Sequence, residues 1–227
     1  MFPSGMAAEM TQHSFDESTL KIRKLFPTPL VSCAVPDAEA LNERLSAVIF
    51  AEEARSRGVQ HSNQGGWQSQ GDFASWSGEA GAYLLGFAQD MARSLTAVHT
   101  ADNTLVHATF EWHFNAWANI NRAGDSNGVH GHAGAFWSAV YWVDDGGRAE
   151  DPSVGGDLEF LDPRGLVASA YRPELRMRIE ECVAAGCATT EAARSGTLVM
   201  FPSWLLHSVR PFKGTRPRVS IAFNFGL

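Results

Sequence analysis

The sequence predicts a mainly β domain, a barrel or sandwich built from the C-terminal half and flanked by two N-terminal helices. Apolar residues recur at helical spacing in the first hundred residues and at a spacing of two from Leu105 onward. Residues 136–143 (FWSAVYWV) are apolar on both parities, as expected of a strand covered on both faces. A chain of 227 residues suffices for one sizeable core and is short for two. The expected organisation is a single domain over 1–227, with a tail at 1–23, a mainly helical flank at 24–104 and the β core at 105–227.

Residues 24–31 (KLFPTPLV) are short, apolar and interrupted by two prolines, which predicts an edge strand or extended entry segment. Pro36 and Asp37 mark a helix start, and Leu41, Leu45, Val48 and Ile49 form its apolar stripe opposite Glu43, Arg44, Glu52 and Glu53. A second amphipathic helix is expected from about Gly81 to Val98, with Tyr83, Leu84, Phe87, Met91, Leu95 and Val98 inward. Between the helices, residues 62–69 (SNQGGWQS) form a polar, glycine-containing loop suited to a surface turn or to closing over a pocket.

From Leu105 one long strand, or two joined by a bend, places Trp112, Phe114, Ala116, Ala118 and Ile120 on an apolar face and His113, Asn115, Asn119 and Asn121 on a polar one. Residues 158–161, 197–201 and 219–223 add three more strands, and 173–184 suit a helical excursion from the sheet.

Composition excludes several function classes. The net charge of −7 comes from acidic and basic residues intermixed along the chain, so no basic stripe exists to neutralise a phosphate backbone and no nucleic acid partner is expected. No apolar stretch approaches the roughly 18 residues of a membrane span, and residues 1–10 lack a secretory signal, so the expected location is the cytoplasm. Cys33, Cys182 and Cys187 match neither a zinc knuckle nor a redox pair and read as reduced packing residues. Oligomeric state, a homodimer included, stays open without a heptad or a visible apolar patch.

Chemistry concentrates in two places. His130 and His132 follow a glycine-bounded turn, and on extended backbone residues i and i+2 project to one side, so both imidazoles can reach one ion. Further on, His207 follows the segment 202–206 (PSWLL), and eleven residues later Arg218 opens an alternating stretch. Arg218, Ser220 and Asn224 share one parity, while Val219, Ile221 and Phe223 share the other. If the apolar set packs against an outer layer, the guanidinium faces inward, where an anion must meet it. A carboxylate taken by both guanidinium nitrogens is the natural partner.

The order H-x-H, a distant histidine, then Arg-x-Ser resembles the metal and cosubstrate motif of the 2-oxoglutarate/Fe(II) dioxygenases. An uncharacterised bacterial and phage branch of that superfamily is also similar at LFPTPL (25–30), SNQGGWQS (62–69), WANIN (117–121), N-x-x-H-x-H (127–132), SAVYWV (138–143), FLDPR (160–164), FPSWLLHSV (201–209) and RVSIAFN (218–224). The resemblance implies a double-stranded β-helix, a jelly-roll or cupin-like barrel with the metal at its open end. It implies an oxygenase using Fe(II), 2-oxoglutarate and O2 on an unassigned small-molecule or peptide substrate. His130, His132 and His207 would hold the metal, Arg218 and Ser220 the far carboxylate of 2-oxoglutarate, and Asn119 and Tyr141 would steady the cosubstrate. Trp67, Trp117 and Trp137 would line the substrate side. The family's usual second ligand is a carboxylate, and here that position is His132. Three neutral imidazoles favour an anionic chelator and shift metal preference toward zinc or copper, unless Asp125, Asp157 or Glu159 supplies the carboxylate. The alternative reading is a cupin-like metal-binding protein or three-histidine dioxygenase that makes no use of 2-oxoglutarate.

Overall fold

The computed structural model describes residues 20–107, 111–165 and 188–227. After an extended entry come β1 (Val31–Ala34), α1 (Ala38–Arg55), β2 (Asn63–Gln64), β3 (Trp67–Gln68), α2 (Phe73–Trp76) and α3 (Gly78–Ser94). The β core follows with β4 (Val98–His99), β5 (Leu105–Val106), β6 (His113–Asn121), β7 (Ser126–His130), β8 (Trp137–Asp144) and β9 (Leu158–Leu161). The chain closes with β10 (Ala188–Glu191), β11 (Thr197–Pro202), β12 (His207–Val209) and β13 (Arg218–Gly226). The anticipated helix at 173–184, Cys182 and Cys187 lie outside the described residues.

Two antiparallel sheets face each other. The larger runs β1-β11-β8-β13-β6-β3 and the smaller β10-β9-β12-β7-β2, with β4 and β5 forming a separate short ribbon. The double-stranded β-helix is thus built of strands distant in sequence, β13 lying between β8 and β6, and β12 between β9 and β7.

Alternation divides each central strand between two environments. On β13, Val219, Ile221, Phe223 and Phe225 are buried in a core shared with Leu41, Leu45 and Ile49 of α1 and Leu84 of α3. Trp142, Val199 and Phe201 pack on the other side of the larger sheet with Leu158 and Phe160 of β9. The helices therefore close the outer face of the larger sheet, and its inner face is left to the smaller sheet and the site.

Several expectations change. The edge strand lies at Val31–Ala34, against β11, rather than across the two prolines, because proline cannot donate to a ladder. The second helix begins at Gly78 and ends at Ser94. Its buried line is Ala80, Leu84, Leu85, Ala88 and Ala92, with Phe87 and Met91 partly buried, whereas Tyr83, Leu95 and Val98 are exposed. The small residues at i, i+4 spacing let the helix lie close to its neighbours, a preference that side-chain size alone conceals. The segment 62–69 is not a free loop. Its Asn63 pairs with Asn127 of β7 and its Trp67 with Ile120 of β6, so it joins the edges of both sheets. The crossing is made at Gly65 and Gly66, both at positive φ (72° and 67°), and a Cβ at Gly65 would lie 2.2 Å from Asp125 Oδ1.

Candidate metal centre

His130 ends β7 and His207 begins β12, and the two are direct partners across that strand pair. His132 stands two residues beyond, in a segment pinned where its N–H donates to Ser203 O at 3.0 Å. Ring centroids are 4.3 Å apart for His130 and His207, 5.0 Å for His130 and His132, and 5.1 Å for His132 and His207. One ligand nitrogen of each lies within 4.8 Å of the others, a grouping that no carboxylate or thiol joins among the described residues.

The surroundings hold two of the rings in a form able to bind a cation. His130 Nδ1 lies 2.8 Å from Gly128 O, and His207 Nδ1 lies 2.8 Å from Leu205 O. A carbonyl only accepts, so each Nδ1 carries the proton and each Nε2 keeps its lone pair. Burial and mutual proximity push His132 down to about 4 and His207 down to about 3, and burial also lowers His130. All three are neutral at physiological pH, the state a metal needs. The rings of Phe201 and Phe160 stand 4.9 Å and 6.2 Å from His207, an apolar wall behind the cluster.

The carboxylates considered from sequence are engaged elsewhere. Asp157 takes Arg148 through two hydrogen bonds of 2.7 and 3.1 Å, Glu159 takes Arg210 at 2.7 and 3.2 Å, and Asp125 accepts the Arg122 N–H at 2.6 Å.

Arg218 is the second element of the site. It begins β13 opposite Asn121 of β6, is 1% exposed, and hydrogen-bonds no carboxylate among the described residues. Its guanidinium donates to Asn121 Oδ1 at 3.1 Å and Ser220 Oγ at 3.4 Å, and its Nε is buried without a partner. Burial lowers its pKa to about 10, partly opposed by Asp157 and Asp145, so it remains a cation at neutral pH. Its stem runs through a sleeve of glycines. A Cβ at Gly146 would lie 3.2 Å from Arg218 Cβ, and one at Gly156 would lie 3.0 Å from Arg218 Cδ and 3.4 Å from Nε. A buried cation lacking a counter-charge is costly unless an anion completes it.

A cavity of about 380 Å³ connects these parts, lined by all three histidines, Arg218, Ser220 and Asn119. Trp117 also lines it, 5.6 Å from the His132 ring. Tyr141 does not reach it. That side chain points to the helical side, where its hydroxyl donates to Asn42 Oδ1 at 2.6 Å. On a strand apolar at both parities the sequence could not show which face was inward; Val140 lines the cavity instead. Trp67 and Trp137 are likewise core residues, donating to Ser56 O and Thr96 Oγ1 at 2.9 Å. Ser62 and Gln68, near the two ends of the segment that the sequence suited to a surface turn or to closing over a pocket, form part of the wall, whereas sequence reasoning gave no role to the Gly146 and Gly156 sleeve.

Residues 115–224 match the family model described as "Putative 2OG-Fe(II) oxygenase". No curated protein sequence matches the chain. Among solved structures, a prolyl-4-hydroxylase from Pseudomonas putida is similar at 16% identity and a TM-score of 0.54, over 88% of this chain and 92% of that one. A prolyl hydroxylase from Trichoplax adhaerens, solved with a hypoxia inducible factor peptide, aligns at 11% identity and 0.58 over 87% and 83%. HygX from Streptomyces hygroscopicus, solved with nickel and 2-oxoglutarate, aligns at 12% identity and 0.57 over 88% and 83%. At these identities the likeness establishes the double-stranded β-helix fold.

Proposed function

Since the chain belongs to the 2OG-Fe(II) oxygenase family through residues 115–224, we propose that His130, His132 and His207 hold its iron and that Arg218, with Ser220, receives the far carboxylate of 2-oxoglutarate. The observation that carries this reading is a buried guanidinium, with no carboxylate bonded to it among the described residues, sharing one cavity with three neutral imidazoles. A protein that bound metal without an anionic cosubstrate would have no use for a cation 1% exposed. That favours the oxygenase over a cupin-like protein indifferent to 2-oxoglutarate.

The donor set fits the group. Three neutral ligands contribute no negative charge, so a dianionic cosubstrate supplies what the protein omits. When bound, Fe(II) with 2-oxoglutarate supplies coupled oxidation, in which R–H, O2 and 2-oxoglutarate give R–OH, succinate and CO2. The residues of the chain bind, orient and exclude water. Gly128 and Leu205 carbonyls fix two imidazole tautomers. Asn121 and Ser220 hold the guanidinium fork in place for two parallel hydrogen bonds. Phe160 and Phe201 keep water from the His207 side. Asn119, facing Ser220 across β6 and β13, is placed to hydrogen-bond the bound cosubstrate. The substrate is a peptide or a small molecule, the two classes named with the neighbours that hold a hypoxia inducible factor peptide and hygromycin B.

Anaerobic titration with Fe(II) and 2-oxoglutarate tests the reading. A metal-to-ligand charge-transfer band is expected in the wild type, absent in His207→Ala and weakened in Arg218→Ala. A wild type that shows no band at any concentration contradicts the assignment.

A further inference from the structure

The inner face of the larger sheet carries a second polar group at the opposite end from Arg218. Residues of one parity on β13 run Arg218, Ser220, Ala222, Asn224, and their partners on β6 run Asn121, Asn119, Trp117, Asn115. Six residues of strand separate Arg218 from Asn224, roughly 20 Å at about 3.3 Å per residue. That exceeds the span of a five-carbon dicarboxylate, so an anion seated on Arg218 leaves Asn115 and Asn224 free for another molecule.

These two asparagines are adjacent across the strand pair, and Ser138 of β8 flanks Asn224 on its other side. Ser138 Oγ donates to Asn224 Oδ1 at 2.8 Å, which fixes the carboxamide so that its Nδ2 is the group left to donate. The Asn115 carboxamide has no hydrogen-bond partner among the described residues. Both asparagines line the central cavity and also an open groove that continues from it, and His132 and Gly131 line both spaces as well. This polar group therefore lies where the outside of the molecule meets the histidine cluster. The groove continues past Ala133, Gly134 and Ala135, small residues that let a ligand approach closely.

Charge selects what can bind. Among the described residues no aspartate, glutamate or lysine side chain lines the cavity or the groove, Arg218 is the one arginine, at the far end, and His113 stands on the groove's outer side. An ammonium or carboxylate held between Asn115 and Asn224 would meet two carboxamides and, among the described residues, no carboxylate or lysine side chain to pair with. The unfilled groups offer a donor on Asn224 and a donor with an acceptor on Asn115. A planar amide, one carbonyl acceptor and one N–H donor, complements them, and Trp117 one step deeper offers a flat apolar surface. We propose that Asn115 and Asn224, with Ser138 positioning the latter, form the seat of the oxidised substrate and select an uncharged amide over a zwitterion. This rests on the histidine cluster being the metal centre.

The test uses the full chain loaded anaerobically with Fe(II) and 2-oxoglutarate. Two probe sets are titrated calorimetrically: amino acids blocked as N-acetyl methylamides, and the same amino acids free. The expected result is binding of one or more blocked probes at least tenfold tighter than the free counterparts, and succinate formation on admitting oxygen. Asn115→Leu, at an exposed position, should lose that binding at least tenfold while the charge-transfer band and its 2-oxoglutarate dependence stay unchanged, and Asn224→Asp should behave likewise. Equal or tighter binding of the free amino acids, binding only of a neutral sugar such as methyl glucoside, no binding of any probe, or full affinity in both variants would each overturn the proposal. Absence of the band in the wild type would instead strike the metal reading itself, so the two failures are separable.

Discussion

At the scale of single residues, Arg218 shows how function and stability oppose each other. The side chain is fully enclosed, and its hydrogen-bond partners among the described residues are an amide and a hydroxyl. Without an anion it costs the fold free energy, since a buried charge recovers its hydration only through an opposite charge. Replacing it with an apolar side chain of similar volume should leave the ligand-free protein as stable or more so, by up to about 1–4 kcal/mol. Arg218→Met is therefore expected to melt no lower than the wild type without ligands, yet to bind 2-oxoglutarate at least 30-fold more weakly, for a loss of roughly 2–5 kcal/mol in charge-assisted hydrogen bonding. Thermal scans beside 2-oxoglutarate titrations measure both, and a variant that melts several degrees lower with unchanged affinity would show a purely structural arginine. This residue was legible in the sequence because Arg-x-Ser parity opposes an unbroken apolar parity. Tyr141 was not, because its strand is apolar on both parities and only packing against Asn42 decides its direction.

At the scale of elements, β9 was read at its observed bounds, 158–161, whereas the turns that matter to the site were read only as turns. Gly156 has a positive φ (77°), and an added Cβ would meet Phe212 Cδ2 and Arg218 Cδ at 3.0 Å each. The glycine is needed both for backbone conformation and for room beside the arginine stem. Gly156→Ala should destabilise the fold by about 1–2 kcal/mol through the left-handed backbone alone. It should also weaken 2-oxoglutarate binding by about tenfold, roughly 1.4 kcal/mol, as the guanidinium shifts, with Fe(II) affinity unchanged because the histidines stand on β7, β12 and the segment after β7. Titrating metal and cosubstrate separately distinguishes this from a general loss of structure, in which both affinities would fall together. The sequence shows the glycine pair at 155 and 156, but the neighbour that requires it comes from β13, more than 60 residues away. Local pattern cannot contain that contact.

At the scale of the whole molecule, the sheet order was the least legible feature, since β13 between β8 and β6 is a matter of distant pairings that no window of sequence reports. The same topology has a thermodynamic consequence. His130 and His207 belong to the smaller sheet and Arg218 to the larger, so metal and cosubstrate bound together tie the two sheets across the cavity. A ligand that binds only the folded state stabilises by about 2.7 kcal/mol when present at 100 times its Kd. For a chain of this size each kcal/mol raises Tm by roughly 2–4 °C, so saturating Fe(II) should raise Tm by about 5–10 °C under anaerobic conditions. Adding 2-oxoglutarate should give a further rise in the wild type. In Arg218→Met the metal increment should persist while the 2-oxoglutarate increment largely disappears, because only the second ligand engages the larger sheet through that residue. Equal 2-oxoglutarate increments in both proteins would mean that the cosubstrate is held without Arg218, and the bridge through that residue would have to be abandoned.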